Sequence, residues 1–147
     1  MQNSKTLVKS LIIAMVLTLS SISAQAGEGF KNLFINIKST SHSQSGMGLA
    51  VANAMQGAGV KTTVLLGGGA INYALKEGGQ SKFGPMDATQ RDMISSLIKK
   101  GGKVMVCGMF AKFAKMKQSD IVKGAKIVDG SEVAGVLLAP STQTLSF

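Results

Sequence analysis

The sequence contains a single cysteine, Cys107, a single histidine, His42, one tyrosine and no tryptophan. One thiol cannot form an intramolecular disulfide, so any stability must come from a packed core. With one cysteine and one histidine, no metal-ligand set of recognisable spacing exists, and neither a metal nor another cofactor is expected. Acidic residues are also few, seven against sixteen lysines and arginines, for a formal charge of +9. No carboxylate pair stands out for acid–base work. Scarce aromatics and dispersed lysines argue against nucleic acid as a partner, since single strands need bases stacked on aromatic rings. The positive excess reads instead as a solvated lysine surface.

The one long hydrophobic run is at the N-terminus. Lys5 and Lys9 precede Leu11–Ala26, which carries no charge but is interrupted by serine and threonine, and "AQA" at 24–26 offers the small residues that a signal peptidase reads. A spanning helix needs roughly 20 mostly apolar residues. Residues 1–26 are therefore expected to be a cleavable signal peptide, leaving no stable membrane span, and the protein to be periplasmic or otherwise exported. Residues 27–147 are then one domain, with a charge of +7 once Lys5 and Lys9 are set aside from the +9.

Along that domain, strands and helices alternate. "FKNLFINIK" (30–38) alternates as a strand does, and Met47, Val51, Ala54, Met55 and Ala58 then recur at helical spacing. "VKTTVLL" (60–66) reads as a strand buried on both faces, ended by Gly67–Gly69. "AINYALKEG" predicts a short helix. Asp87 with Gln90 three residues on predicts a capping box before the stripe Met93, Ile94, Leu97 and Ile98. "KVMVC" predicts a third strand, followed by a helix to about Lys117 that turns Met109, Phe110 and Phe113 inward and Lys112 and Lys115 outward. A strand at 125–130, a helix capped by Ser131 and stopped by Pro140, and a terminal strand complete the chain. Such alternation predicts an α/β fold, a single three-layer sandwich with a mainly parallel sheet.

Neither glycine-rich stretch amounts to a nucleotide site. "SGMGLAV" has only part of a dinucleotide fingerprint, since Val51 occupies the third glycine position and no acidic residue ends the second strand. Gly67–Gly69 could form an anion nest or a bare turn.

The candidate site is Cys107. In doubly wound sheets, ligands bind beyond the carboxyl ends of the strands where strand order reverses. With the flavodoxin-like order 2-1-3-4-5, that point falls between strands one and three. Cys107 would then stand near His42, a possible proton acceptor. A cysteine that ends a strand and opens a helix feels the helix's free N–H groups, which favour thiolate, and Lys112 and Lys115 could add to this. Equally, Cys107 could be the buried last residue of a strand or be linked to another chain.

The run "KVMVCGMFAKFAKMKQSDIVKGAKIVDGSEVAGVLLAPSTQTLSF", with the opening strand and "SGMGLAVANAMQGAGVKTTVLL", resembles exported members of the DsrE/DsrF-like family. The cysteine ending the third strand, the "AK" after it and the terminal "TLSF" carry the likeness. It implies a compact α/β fold, homo-oligomers, and a cysteine that receives and passes sulfur as a persulfide. Only Cys107 matches that sulfur-carrying position. Sulfur donors and acceptor thiols, on proteins or small molecules, would be its partners. Many exported relatives resemble C-P-M-C here, whereas this chain has Cys107, Gly108, Met109 and Phe110. The alternative is a non-enzymatic, oligomeric binding domain with the same fold and an inert, buried cysteine.

Overall fold

Strand β2 (Lys61–Leu66) is buried along nearly its whole length, as its apolar run predicts, because it is the middle strand of five. In a computed structural model that describes residues 31–147, it lies between β1 (Asn32–Ile37) and β3 (Lys103–Cys107). The outer strands are β4 (Ala125–Val128) and β5 (Thr142–Ser146). The order is β4-β3-β2-β1-β5 and every pairing is parallel. The expected signal peptide, residues 1–26, and Phe30 lie outside the described residues.

This order corrects the expected 2-1-3-4-5. Each crossover from β1 to β4 moves one strand in the same direction. Right-handedness therefore places α1 (His42–Gly57), α2 (Gln90–Lys99) and α3 (Gly108–Phe113) on one face. There Leu33, Ile35, Ile37, Val64, Leu66, Val104 and Val106 form the main core with Leu49, Ala52, Ile94 and Leu97. From β4 the chain must return across the whole sheet to add β5 beside β1. That reversal puts α4 (Gly130–Leu137) on the opposite face. The reversal of strand order thus lies between β1 and β5.

The two faces are unequally covered. An eight-residue helix is about 12 Å long, whereas five strands span roughly 19 Å between edges. Helix α4 alone leaves gaps over its face: it contains no buried residue, and its Leu137 and the following Leu138 are exposed.

The crowded face is held by polar ties as well as packing. The buried amide of Asn53 donates to the carbonyls of Leu49 (3.0 Å) and Met93 (2.9 Å), and accepts from Lys100 Nζ (3.2 Å). These bonds offset the cost of burying it and fix α1 on α2. Gly69 meets the same demand for closeness: a Cβ there would be 2.3 Å from Thr40 Cγ2. Close passage of the 67–69 turn over the loop after β1 therefore gives that glycine a packing role.

Helix α2 starts two residues later than expected. Thr89 is its N-cap, accepting from the Asp92 amide, while the Asp92 carboxylate accepts from the Thr89 amide at 2.9 Å. Asp87 instead ends a short 3-10 turn (Gly84–Met86) in the left-handed region, φ 46°. Similarly, Asp129 rather than Ser131 caps α4, accepting from the amides of Ser131 and Glu132. Residues 75–78, predicted as the end of a short helix, are not helical; a 3-10 helix covers Gly68–Ala74.

Asp92 is held below the ordinary aspartate value, chiefly by the Thr89 amide and then by the Thr89 hydroxyl. A carboxylate with a lowered folded-state value adds stability above its unfolded value, and that stability is lost as pH falls through the folded value. Thr89→Ala is expected to cost about 1 kcal/mol at neutral pH. It should also flatten the acid limb of the stability profile below pH 4, read from urea midpoints against pH.

Candidate functional site

Cys107 is the last residue of β3 and the N-cap of α3. It alternates with Met105, so it points away from Val104 and Val106 and toward the thinly covered face. The thiol is half-buried and free. It lines a groove of about 470 Å³ between the sheet and α4, walled by Leu65, Met109, Val128, Val133, Ala134 and Leu137. The incomplete cover over this face is what leaves the groove open.

The groove has one charged lining residue, Asp129. Its carboxyl is held below the ordinary value, first by the Ser131 hydroxyl and then by the Glu132 amide, so it is an anion at neutral pH. Lys112 and Lys115 do not line the groove. The expected lysine support for Cys107 is therefore absent from its immediate surroundings. Helix α3 has only six residues, ending at Phe113 rather than Lys117.

A second cleft, about 560 Å³, lies on the other side of α3, between that helix and the 3-10 helix at Gly68–Ala74. Ile71, Met109, Phe110 and Phe113 line it. Phe110, at the position where C-P-M-C relatives carry their second cysteine, thus faces this cleft and not the Cys107 groove. The expectation that Met109, Phe110 and Phe113 are core residues is corrected: they are 71%, 38% and 90% exposed, and Ala111 is the buried residue of α3.

His42 is elsewhere. It opens α1 on the crowded face, beyond β1, and β2 separates β1 from β3. Two strand spacings, roughly 10 Å, and the sheet itself stand between the two residues. The expected pairing of His42 with Cys107 rested on the other strand order and does not occur.

What His42 does meet is Gln90, a completely buried side chain. Gln90 Nε2 donates toward His42 Nδ1 (2.8 Å), the His42 carbonyl (3.1 Å) and Ser45 Oγ (3.3 Å). Turning the amide over would set its oxygen against the His42 carbonyl, so the nitrogen belongs there. Nδ1 therefore accepts, and the imidazole stands edge-to-face with Phe83, ring centroids 6.2 Å apart. The arrangement ties the start of α1 to the start of α2. Sequence reasoning placed Gln90 in a cap; its only outward sign was a polar residue on the same side as Met93 and Ile94.

A model of the DsrE/DsrF-like family matches residues 31–147. The chain belongs to this family. The fold agrees with solved structures. The ychN protein from E. coli aligns with a TM-score of 0.68 at 15% identity, covering 80% of this chain and 98% of that one. MTH1491 from Methanobacterium thermoautotrophicum aligns at 0.63 and 13% identity, covering 79% and 98%. BT1422 from Bacteroides thetaiotaomicron aligns at 0.62 and 14%, covering 80% and 95%. At these identities the likeness establishes fold alone. No curated protein matches by sequence. Within the DsrE/DsrF-like fold of this chain, Cys107 is the one thiol, and no cluster of three potential metal ligands occurs among the described residues.

Proposed function

We propose that this DsrE/DsrF-like protein carries sulfane sulfur on Cys107, as an exported and oligomeric member of a sulfur relay. The observation that carries the reading is a half-buried, unpaired thiol opening onto a groove instead of ending in the core. The Cys107 thiolate attacks the outer sulfur of a persulfide or polysulfide donor. One S–S bond forms at Cys107 as the donor's breaks, and the donor leaves as a thiolate. An acceptor thiolate then takes the outer sulfur, and Cys107 thiolate is the leaving group. No oxidant is consumed, so the relay needs no second cysteine at position 110.

The groove's chemistry favours a particular donor. Its walls are apolar and its charged lining residue is an anion, which suits a sulfur presented by an apolar protein segment, with polysulfide in excess a slower substitute at the half-exposed thiol.

The test is an intact mass of the reduced protein after polysulfide treatment. A gain of about 32 Da per added sulfur, removed by a thiol reductant and absent in Cys107→Ser, is expected. No gain sinks the reading. If Cys107 reacts with a disulfide reagent only after unfolding, the binding-domain alternative takes its place.

A further inference from the structure

We propose that α3 and the turn after it, Gly108–Lys117, form a docking patch for an anionic lipid surface. Phe113 is 90% exposed and Met109 71% exposed. Both sit beside an apolar cleft where they could have been buried. Around them Lys112, Lys115 and Lys117 are all exposed, and the ten-residue segment has no acidic side chain. Neither ion pair among the described residues involves these lysines. Apolar and aromatic tips ringed by unpaired lysines match the interfacial zone of a membrane, where tips enter the acyl boundary and ammonium groups meet phosphates.

One backbone feature points the same way. Helix α3 ends with the Met116 amide donating to the Ala111 carbonyl (2.8 Å) and Lys115 in the left-handed region, φ 54°. Glycine is the favoured residue at such a helix end. A lysine there keeps a cation next to Phe113 in a conformation that glycine would adopt with less strain. The charge also distinguishes this occupant from a second copy of the chain docked on the same patch about a two-fold axis. A symmetric contact would oppose like-charged lysine rings across an apolar centre, which is unfavourable.

The test uses residues 27–147, which omit the apolar N-terminal run. Residues 31–147 within this portion carry all five strands and their helices, and the alignment covers 98% of the ychN protein. The absence of tryptophan makes Phe113→Trp a local reporter. On mixing with phosphatidylcholine vesicles containing phosphatidylglycerol, its emission should shift to the blue and be quenched by brominated lipid. Pure phosphatidylcholine vesicles and high salt should weaken both effects. Each lysine near an anionic surface contributes roughly fivefold to binding. The triple change Lys112→Gln, Lys115→Gln, Lys117→Gln should thus weaken vesicle binding about a hundredfold, measured by sedimentation with the otherwise wild-type domain.

Equal binding to both vesicle types overturns the proposal, as does an unshifted indole emission from the Phe113→Trp variant. A blue shift that grows with protein concentration without lipid also overturns it, and assigns the patch to a second copy. Polysulfide loading of Cys107 is a separate readout, so either reading can fail without the other.

Discussion

Ile35→Ala is expected to destabilise the protein by about 3–4 kcal/mol, the middle of the range for the loss of one aliphatic core side chain. Ile35 is fully buried in β1, between Val64 of β2 and Leu145 of β5 in the strand register. It belongs to the core beneath the crowded helical face. Surroundings gripped from both sides cannot collapse into the void, so the cost includes a cavity as well as lost transfer energy. Against a total of roughly 5–15 kcal/mol, such a loss should lower Tm by about 15 °C. Urea unfolding should show a lower midpoint with an unchanged slope. Leu145→Ala tests the explanation on the neighbouring strand. Leu145 is 40% exposed, and its truncation should cost below about 1.5 kcal/mol. Equal losses at the two positions would mean that β5 is buried by something other than this chain's own core.

The contrast between Ile35 and Leu145 shows what periodicity can and cannot convey. Alternation and apolar runs announced β1, β2 and β3, because inward-facing residues must be apolar wherever the sheet is covered. Strand order is a different kind of information. It depends on which way each crossover steps, and only the last step, from β4 back past β1, departs from a simple progression. Nothing in the local pattern of residues 67–102 encodes whether the crossover from β2 to β3 steps onward or back past β1, so the sequence suggests His42 beside Cys107 although a strand and a sheet face separate them.

Capping shows the same limit at smaller scale. In "DATQRD", Asp87 with Gln90 and Thr89 with Asp92 both satisfy the spacing of a box. The choice is made by Gln90, which is held inside by His42 and Ser45. At α3 the sequence shows an apolar stripe correctly but cannot say whether anything covers it. Cys107 itself was legible from position. Its accessibility was not, because that follows from the shortness of α4 over a five-stranded sheet.

Gly108→Ala should be the most disruptive change to the Cys107 groove that leaves the thiol in place. A Cβ at residue 108 would stand 2.7 Å from the Val128 carbonyl oxygen and 3.6 Å from Ile127 Cγ2. The first neighbour is backbone, at the end of β4 where Val128 is in register with Cys107. It cannot rotate away as a side chain would. Either the end of β4 lifts or α3 turns on its first residue. Overpacking of this kind costs about 1–3 kcal/mol, or roughly 5–15 °C in Tm for a domain of this size. Gly108 and Val128 both line the groove, so the shift should also change the reaction rate of Cys107 with a disulfide reagent several-fold. Gly130→Ala provides the control on the opposite wall, because a Cβ there meets nothing within 4 Å; its stability and thiol reactivity should stay close to wild type. The comparison bears on relatives with the C-P-M-C pattern as well. Proline also carries a Cβ, so Gly108→Pro in this chain should meet the same Val128 carbonyl. Gly108 is what lets β4 and α3 stand this close in this protein, and if Gly108→Ala leaves both Tm and thiol reactivity unchanged, that account of the groove is wrong.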